Sequence, residues 1–333
     1  MRTATVFVLL TILLVAMAAI ASGIGPYHIS LPTVLDAILQ RPFGDGSSPV
    51  DTVLFNIRFP RVAAAGFVGA ALAAAGAAYQ SLFRNPLVSP DILGVSTGAG
   101  LGAVLGILLG LPVMAIQVFG FIGGLVTVMV VATLARALRG GGDVLVLVLA
   151  GIVVGALAGA AISLVKVLAD PYNQLPAITF WLLGSLAGIK ASDIAATAPL
   201  VALGLAPLLL LRWRIGVLSL GDDEARALGV NVSALRIVVI AAATLVTASA
   251  VAISGVIGWV GLMVPHMARM LVGPRFDRLL PAAILLGASF MIGVDTLARS
   301  AARIEIPLGV LTAVIGGPVF VWLLARRRRE LLP

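Results

Sequence analysis

Residues 144–168 read VLVLVLAGIVVGALAGAAISLVKVL, an apolar run whose single charge, Lys166, lies near its end. A helix that crosses a membrane needs about 20 mostly apolar residues, and this run is long enough to do so. Similar runs recur along the whole chain. They predict an all-α membrane protein with ten transmembrane helices, at residues 4–24, 62–83, 92–111, 113–135, 144–168, 192–211, 234–253, 256–272, 280–298 and 307–325.

The composition excludes a soluble fold. Of the 333 residues, 61% are hydrophobic and 11% are charged, whereas a soluble globular protein carries about 25% charged residues. The chain has no cysteine, which excludes disulfides and thiolate metal sites. Its two histidines, His28 and His266, lie far apart in sequence, which argues against an imidazole metal site.

The distribution of basic residues predicts the orientation. The net charge of +8 comes from 22 Lys and Arg against 14 Asp and Glu. An even number of spans places both termini on one side. If that side is the cytoplasm, 15 of the 22 Lys and Arg residues face inward, as the positive-inside rule requires. We therefore expect cytoplasmic termini, and we interpret the basic tail at 326–333 as an anchor rather than a nucleic-acid patch.

We predict one transmembrane domain over residues 1–333. Pro171 and Pro176 interrupt residues 170–190 too strongly for a full span, so a short helix is expected near 174–187 at the outer mouth. The predicted order is a first span within 1–24, an outer loop at 25–61, spans two to six within 62–211 with that short helix, a cytoplasmic segment at 212–236, spans seven to ten within 234–325 and the tail at 326–333.

Glycine spacing predicts close helix packing. Glycines recur at every fourth residue from Gly94 to Gly110, a pattern that lets helix backbones approach each other. Three residues also recur at one constant offset in sequence. The offset relates spans that cross in opposite directions, so it predicts an inverted repeat of the kind found in many transporters. The matched pairs are Gly76 with Gly255, Pro86 with Pro265, and Gly94 with Gly273.

Ionisable residues are almost absent from the predicted spans. Lys166 and Asp295 fall near outer ends, whereas an ion-coupled carrier usually uses a carboxylate in mid-membrane. The sequence also lacks the GxxxxGK[ST] loop that binds nucleotide phosphates. Uphill transport would therefore need energy from another chain.

The segment LSLGDDEARALG at 218–229 is a candidate for receiving that energy. Gly221 and Gly229 bracket a short stretch whose acids lie near its start, where a helix dipole favours negative charge. Such a helix could fit a groove on a soluble partner. A solvated loop is the simpler interpretation of the charge pattern, and both interpretations stay open at this point.

Several motifs, in a fixed order, resemble the FecCD family, the BtuC-like permeases of ABC importers for iron-siderophores, haem and vitamin B12. The resemblance covers nearly the whole chain. Its motifs are RFPR at 58–61, GAALAAAG at 69–76 with Gln80, RNPL at 84–87, PDILGVSTGA at 90–99, WLLGS at 181–185, LSLGDDEARALG at 218–229, GLMVPHMAR at 261–269, DTLAR at 295–299, EIPLG at 305–309, TA at 312–313 and GGPVF at 316–320.

The resemblance implies a BtuC-like, type II ABC importer fold, with this chain as the permease subunit in a bacterial inner membrane. Expected partners are a second copy of the chain, two cytoplasmic ATPase subunits that hold ATP and Mg, a periplasmic binding protein and membrane lipid, with no nucleic acid. The chain itself is expected to be no enzyme and to bind no cofactor. The expected cargo is an iron chelate, either a siderophore or haem.

Alternatives stay open. The same importer class also carries vitamin B12 and, in some members, molybdate or tungstate. The competing classes are an ion-coupled secondary carrier and a structural or sensory membrane module.

The resemblance also implies roles for individual residues. Arg58, Arg61 and Arg299 match arginines that dock acidic residues of the binding protein, although arginines at the outer end can instead snorkel or pair locally, as Arg299 could with Asp295. Ala225 is expected to pack in a groove of the ATPase. The residues matched to ATPase coupling are Gly221, Glu224, Ala225, Leu228 and Gly229.

Two further sets follow from the same resemblance. The gate or path residues are Pro176, Trp181, Gly184 and Ser185. The residues of structural family motifs are Gln80, Arg84, Asn85, Pro86, Pro265, His266 and Arg269. For His266 we favour this structural role over ligation of haem or a metal.

Overall fold

The computed structural model describes residues 3–25, 27–40, 48–138 and 144–331. The described backbone is helical, which confirms the predicted class. The α-helices are α1 (Thr3–Gly23), α2 (Leu31–Gln40), α3 (Pro49–Asp51), α4 (Phe59–Leu82), α5 (Val95–Leu108), α6 (Val113–Ala137), α7 (Val144–Leu168), α8 (Gln174–Leu183), α9 (Ala191–Leu210), α10 (Arg212–Leu218), α11 (Asp222–Ala227), α12 (Val232–Ser254), α13 (Val260–Val272), α14 (Phe276–Ser300) and α15 (Leu308–Leu331). A π-helix, Thr52–Arg58, precedes α4, and a 3₁₀ turn, Pro90–Leu93, precedes α5.

The predicted spans fall on helices of unequal length. Within the described part of the chain, seven helical segments are long and apolar enough to cross a membrane. Helices α5 and α13 have 14 and 13 residues, fewer than the roughly 20 that a straight span needs. The fold is therefore that of a multi-pass helical membrane protein that also contains short apolar helices.

Backbone breaks explain the short helices. Gly94 has a left-handed φ of +75° directly before α5, and Gly110 has a φ of +65° just after it, so the span predicted at 92–111 is too long at both ends. Similarly, Gly255 ends α12 with a φ of +67°, and α13 starts only at Val260. Glycine adopts this backbone conformation at little cost, so the chain can stop a helix at these positions.

Helices α4, α12 and α14 form the enclosed centre of the bundle. Glycines let these helices touch their neighbours directly. A Cβ atom on Gly76 of α4 would lie 1.9 Å from the carbonyl oxygen of Gly261 in α13. Likewise, a Cβ atom on Gly102 of α5 would lie 2.0 Å from the carbonyl oxygen of Phe119 in α6. The predicted glycine stripe thus lies at a helix contact, as expected for small residues in membrane helices.

The segment 25–61, predicted as an outer loop between the first two spans, contains helices in its described residues. Its described residues include α2, α3 and the π-helix, which continues into α4. This helical run starts at Ser48, whose Oγ accepts a hydrogen bond from the N–H of Asp51 at 3.0 Å, and Pro49 suits the first turn. Residues 41–47, which hold most of the Gly- and Ser-rich stretch, lie outside the described residues.

Two other connections hold short helices, and the last helix extends into the predicted tail. In 170–190, α8 ends at Leu183 because Gly184 adopts a φ of +74°. In 212–236, Gly221 and Gly229 flank α11 with φ values of +141° and +76°, so the glycines bracket a short helix. Helix α15 continues into the predicted tail as far as Leu331, and residues 332–333 lie outside the described part.

Candidate functional site at the two ends of the bundle

Each end of the bundle carries a cluster of charged side chains. At the end where α1 and α14 finish and α4 starts, Arg58, Arg61 and Arg299 come together, and we call this the arginine end. At the opposite end, beside α11, Asp222 lies among arginines, and we call this the aspartate end.

A cavity of about 550 Å³ opens at the arginine end. Three elements bring the predicted docking residues to it. Arg58 ends the π-helix, Arg61 lies in the first turn of α4 and Arg299 lies in the last turn of α14. Arg303 and Glu305 line the same cavity, and Arg303 is exposed. The fold thus assembles residues that are distant in sequence around one opening.

Arg61 is held by two carboxylates of its own chain. Its Nε donates to the two oxygens of Asp295 at 2.9 and 3.1 Å. Its Nη1 and Nη2 donate to Oε2 and Oε1 of Glu305 at 3.0 and 2.7 Å. The Asp295 side chain is 1% exposed, whereas that of Glu305 is 27% exposed. Such charge-assisted pairs are strong, so Arg61 is firmly fixed.

Arg58 and Arg299 bind the end of α1. Nη1 of Arg58 donates to the carbonyl oxygens of Ser22 and Gly23 at 2.8 and 3.0 Å. Arg299 donates to the carbonyl oxygens of Ala21 and Ile24. The last carbonyls of a helix lack partners within it and carry partial negative charge, so guanidinium groups stabilise them. The local alternative for Arg299 is also present, since its Nε lies 3.5 Å from Oδ2 of Asp295.

These contacts bury much of the predicted docking surface. Arg58 and Arg61 are 4% and 8% exposed. Both face outward only where they line the cavity, and Arg303 lies at its exposed rim. The sequence analysis did not single out Arg303, Glu305 or Asp295 as site residues. Asp295 and Glu305 could have been found from the sequence, because they are the first residues of the quoted motifs DTLAR and EIPLG.

The predicted gate residues surround α8. Pro176 is exposed on this helix, and Trp181 is half-buried near its end. After the turn at Gly184, the Ser185 N–H donates to the carbonyl oxygen of Ser254 at 2.9 Å, and its Oγ donates to Glu305 at 3.2 Å. A cavity of about 480 Å³ adjoins α8 and is lined in part by Trp181 and Ser185. We call Gly184 and Ser185 the hinge after α8, and through Glu305 this hinge contacts the arginine end.

At the aspartate end, Asp222 joins α11 to two other parts of the chain. Nη2 of Arg236, in α12, donates to Asp222 at 3.0 Å, and Nη2 of Arg84, just after α4, donates to it at 3.3 Å. Arg226 lies 4.0 Å away on α11 itself. Sequence reasoning assigned the acids of α11 to the helix dipole and missed this cross-linking role.

The residues matched to ATPase coupling divide into two groups. Glu224, Leu228 and Gly229 are exposed, whereas Gly221 and Ala225 are buried. Ala225 has no exposed surface, because α11 packs this face against the chain. The expectation that Ala225 enters a groove of a partner is therefore corrected, and the surface that α11 offers consists of its other residues.

Beside α11 lies a further cavity of about 570 Å³, which the sequence analysis did not identify. Arg212, Trp213 and Leu220 line it from α10 and the following turn, and Arg275 and Phe276 line it from the start of α14. The sequence did mark this place, because RWR at 212–214 sets a tryptophan between two arginines at the end of an apolar run.

Most of the structural-motif residues pack near the aspartate end. Gln80 is buried, and its Nε2 donates to the carbonyl oxygens of Leu262 and Val88 at 2.9 and 3.3 Å. Arg269 donates to Oε1 of Gln80 at 3.4 Å. Asn85 accepts from the N–H of Leu87 at 2.9 Å, beside Pro86 and the left-handed Arg84. Pro265 is buried in α13 and His266 is half-buried. Among the described residues no acid or histidine cluster suited to a metal ion is found.

Comparison with known proteins defines the family. The chain matches the model of the FecCD transport family over residues 9–326. It is 39% identical over 321 residues to the molybdate import system permease protein MolB of Haemophilus influenzae, covering 96% of this chain and 95% of that protein. It is 38% identical over 328 residues to the hemin transport system permease protein HmuU of Yersinia pestis, covering 96% and 95%.

A solved structure supports the same conclusion. It is described as an ABC transporter of the metal-chelate type in an inward-facing conformation. It is 39% identical to this chain with a TM-score of 0.87, and the match covers 97% of this chain and 99% of that chain. The chain therefore belongs to the FecCD transport family, as an ABC importer permease and a multi-pass protein of the bacterial inner membrane.

Proposed function

We propose that this chain translocates an iron chelate, either a siderophore or haem, and that separate ATPase subunits power the movement. The observation that carries the proposal is α11, a short acidic helix that packs Ala225 against the bundle, leaves Glu224 exposed and is tied through Asp222 to Arg84 after α4 and Arg236 of α12. Such an element can transmit force from a soluble motor to the spans. The hemin permease and the metal-chelate-type transporter described above support the chelate class.

The proposed topology has ten spans and cytoplasmic termini, with the aspartate end inside and the arginine end facing the periplasm. An inverted repeat is part of this proposal. Helices α4 to α7 have 24, 14, 25 and 25 residues, and α12 to α15 have 23, 13, 25 and 24 residues in the same order. This succession supports pairing α4 with α12 and α5 with α13. It gives a different register from the constant offset found in the sequence.

The proposed partners occupy three surfaces. The ATPase contacts the exposed residues Glu224, Leu228 and Gly229 of α11 and its C-terminal end, and Gly221 forms the turn that leads into this helix. ATP and Mg stay on the ATPase subunit. A second copy of the chain packs on the exposed apolar faces of α7 and α15, with α8 at the path between the copies. Leu149, Val153 and Leu157 of α7 support this arrangement because they form an exposed apolar row.

A periplasmic binding protein docks at the arginine end in this proposal. Its acidic residues enter the cavity and meet Arg58, Arg61 and Arg299, with Arg303 at the rim. Guanidinium forks match carboxylates geometrically, and complementary charge speeds the encounter.

Molybdate is the second candidate cargo, because the molybdate permease MolB is 39% identical to this chain. Tungstate and vitamin B12 fall within the same importer class. An ion-coupled carrier is less favoured, since Asp295 is held by Arg61 and Arg299 rather than placed to exchange an ion.

The test is uptake into proteoliposomes that contain this chain with its ATPase and binding protein. Ferric siderophores, haem, cobalamin and molybdate are offered separately, with ATP or without it. We expect ATP-dependent accumulation of an iron chelate, and none with an ATPase whose P-loop lysine is changed. Accumulation of molybdate alone would replace the cargo, and accumulation driven by an ion gradient without ATPase would overturn the proposal.

A further inference from the structure

The motif EIPLG at 305–309 connects the arginine cavity, the proposed docking site, with the hinge after α8, the proposed gate. It follows α14 and leads into α15. Its first residue, Glu305, lines the arginine cavity. Its last residues pack on the hinge after α8, since the N–H of Leu308 donates to the carbonyl oxygen of Gly184 at 3.0 Å. A Cβ atom on Gly309 would lie 2.7 Å from the carbonyl oxygen of Leu183, so this contact is close.

The two carboxylates on Arg61 are not equivalent. Asp295 is 1% exposed and also faces Arg299, so it is enclosed by its partners. Glu305 is 27% exposed and reaches Arg61 from the cavity side. A carboxylate that arrives through the cavity therefore meets Glu305 as its competitor for the guanidinium.

Glu305 is also bonded to the gate hinge. Its Oε1 accepts hydrogen bonds from Nη2 of Arg61 at 2.7 Å and from Oγ of Ser185 at 3.2 Å. Any movement of Glu305 away from Arg61 thus changes the partner of Ser185, the second residue after α8. Gly184 forms the turn of this hinge with a φ of +74°, a backbone conformation that glycine adopts at little cost and most residues avoid.

We infer that Glu305 is a positioning residue that keeps the hinge of α8 in its resting place until an acidic side chain of the docked partner replaces it on Arg61. The inference rests on the proposed function, because it needs a partner that docks at the arginine end. One carboxylate exchanges for another on the same guanidinium, so Arg61 keeps two carboxylate partners throughout. The released Glu305 then gives up the Oγ of Ser185, and the end of α8 keeps its backbone hydrogen bonds to Ser254 and Leu308.

The exchange explains why an acidic partner is required. A neutral or basic surface could fill the cavity, but it would not replace Glu305, because that would leave the Arg61 charge with only Asp295. Selectivity of this kind comes from the excess positive charge that would remain in a largely buried site, because Arg61 and Arg299 would then share Asp295 alone.

The experiment compares Glu305→Gln with wild type in the reconstituted complex of permease, ATPase and binding protein. The amide keeps the shape of the side chain but removes its charge, so it holds Arg61 weakly. We expect ATP hydrolysis without binding protein to rise, and its stimulation by binding protein to fall by about fivefold or more, within the range of typical coupling between sites. Asp36→Asn is the matched control, because Asp36 is an exposed acid on α2 outside this network.

Two further variants keep the test decisive. Ser185→Ala should raise basal hydrolysis in the same direction, and the double variant Glu305→Gln/Ser185→Ala should add little, because both act on one contact. Glu305→Asp, which keeps the charge, should restore part of the stimulation. If Glu305→Gln fails to assemble, Ser185→Ala and Glu305→Asp alone decide the outcome.

A second measurement reports position directly. The chain has no cysteine, so spin labels at Thr179→Cys and Ala301→Cys, on labelled copies diluted with unlabelled ones, give the distance between α8 and the end of α14 within one copy. Binding protein added to wild type and the Glu305→Gln change should shift this distance in the same direction. If wild type is stimulated but Glu305→Gln leaves both stimulation and distance unchanged, the inference is wrong. If wild type itself shows no stimulation by the binding protein, the proposed function fails instead.

Discussion

The two ends of this permease solve the same electrostatic problem in opposite ways. At the arginine end, one guanidinium, Arg61, is shared by two carboxylates and all three groups are largely enclosed. At the aspartate end, one carboxylate, Asp222, is shared by three arginines, of which Arg84 and Arg226 have side chains 43% and 59% exposed. Burial strengthens ion pairs and makes them costly to break, whereas water and salt weaken exposed pairs. We therefore infer that the ion pairs at the arginine end are hard to separate and call this end the rigid mount. We call the more exposed pairs of Asp222 at the aspartate end the yielding linkage.

The largest expected effect is at the rigid mount. Asp295→Ala leaves Arg61 and Arg299 without their enclosed counter-ion, and removing one partner of a buried pair costs about 3–5 kcal/mol. Thermal unfolding of the purified chain in detergent measures the loss. The exposed acid Asp36 supplies the control Asp36→Asn, which should leave unfolding unchanged. Equal unfolding midpoints for Asp295→Ala and wild type would show that the arginine end is not the firmer of the two.

The next effect concerns the base on which α11 rests. Ala225→Arg forces a long charged side chain into a packed site, and overpacking of this kind costs about 1–3 kcal/mol. Its neighbour Ala227 is exposed, so Ala227→Arg should change stability by less than about 0.5 kcal/mol. Unfolding midpoints of the two variants, measured side by side, test the corrected placement of Ala225. A larger loss of stability in Ala227→Arg than in Ala225→Arg would contradict the burial of Ala225.

A smaller change in stability is expected at the yielding linkage. Asp222→Asn weakens the pairs with Arg84 and Arg226, which are partly exposed and each worth about 0.2–1 kcal/mol. The pair with Arg236 is more enclosed, with side chains 11% and 26% exposed, but the amide oxygen of Asn can still accept a hydrogen bond from that guanidinium. The main effect of Asp222→Asn should be functional, because the tie of α11 to Arg84 and Arg236 is weakened. We expect more ATP hydrolysed per substrate molecule transported, with assembly of the complex retained. The ratio of hydrolysis to uptake in proteoliposomes measures this, and an unchanged ratio would remove Asp222 from the transmission.

Salt should separate the two ends by the smallest effect. Raising the ionic strength from about 0.1 to about 1 M shortens the screening length from roughly 10 to roughly 3 Å. The coupling energy of Arg84 with Asp222, from a double-mutant cycle of unfolding, should fall over this range. The coupling energy of Arg61 with Asp295 should change little, because their side chains are only 10% and 1% exposed. A parallel decline of both would mean that the enclosed pair is accessible to ions.

Much of this fold can be predicted from local sequence patterns. Apolar runs such as 144–168 locate the helices because a span must satisfy its own backbone in lipid. Gly221 and Gly229 locate the ends of α11 because they adopt left-handed or otherwise unusual backbone. The helices within the outer segment 25–61 were not predicted, because its glycine- and serine-rich part masked the helical stretch that follows Ser48.

The partners of charged residues could not be predicted in the same way. Arg61 and Glu305 are far apart in sequence and meet only after α4 and α14 pack together. Asp222 meets Arg84 for a similar reason. The burial of Ala225 depends on which face of a short helix the bundle covers, and six residues hold too little periodicity to reveal that face. Tertiary packing, which a linear pattern does not encode, decides all three.

The enclosed position of α4, α12 and α14 has a consequence for how the protein is made. Peripheral helices such as α1 and α9 bury little of their surface within this chain, so they can be stable in lipid as soon as they leave the ribosome and the insertion channel. Helix α4 is synthesised early, yet it is rich in alanine and glycine and its neighbour α14 appears only near the end of translation. Between those moments its small-residue face needs a temporary companion, so early truncations of this chain should be the preferred clients of membrane-protein chaperones.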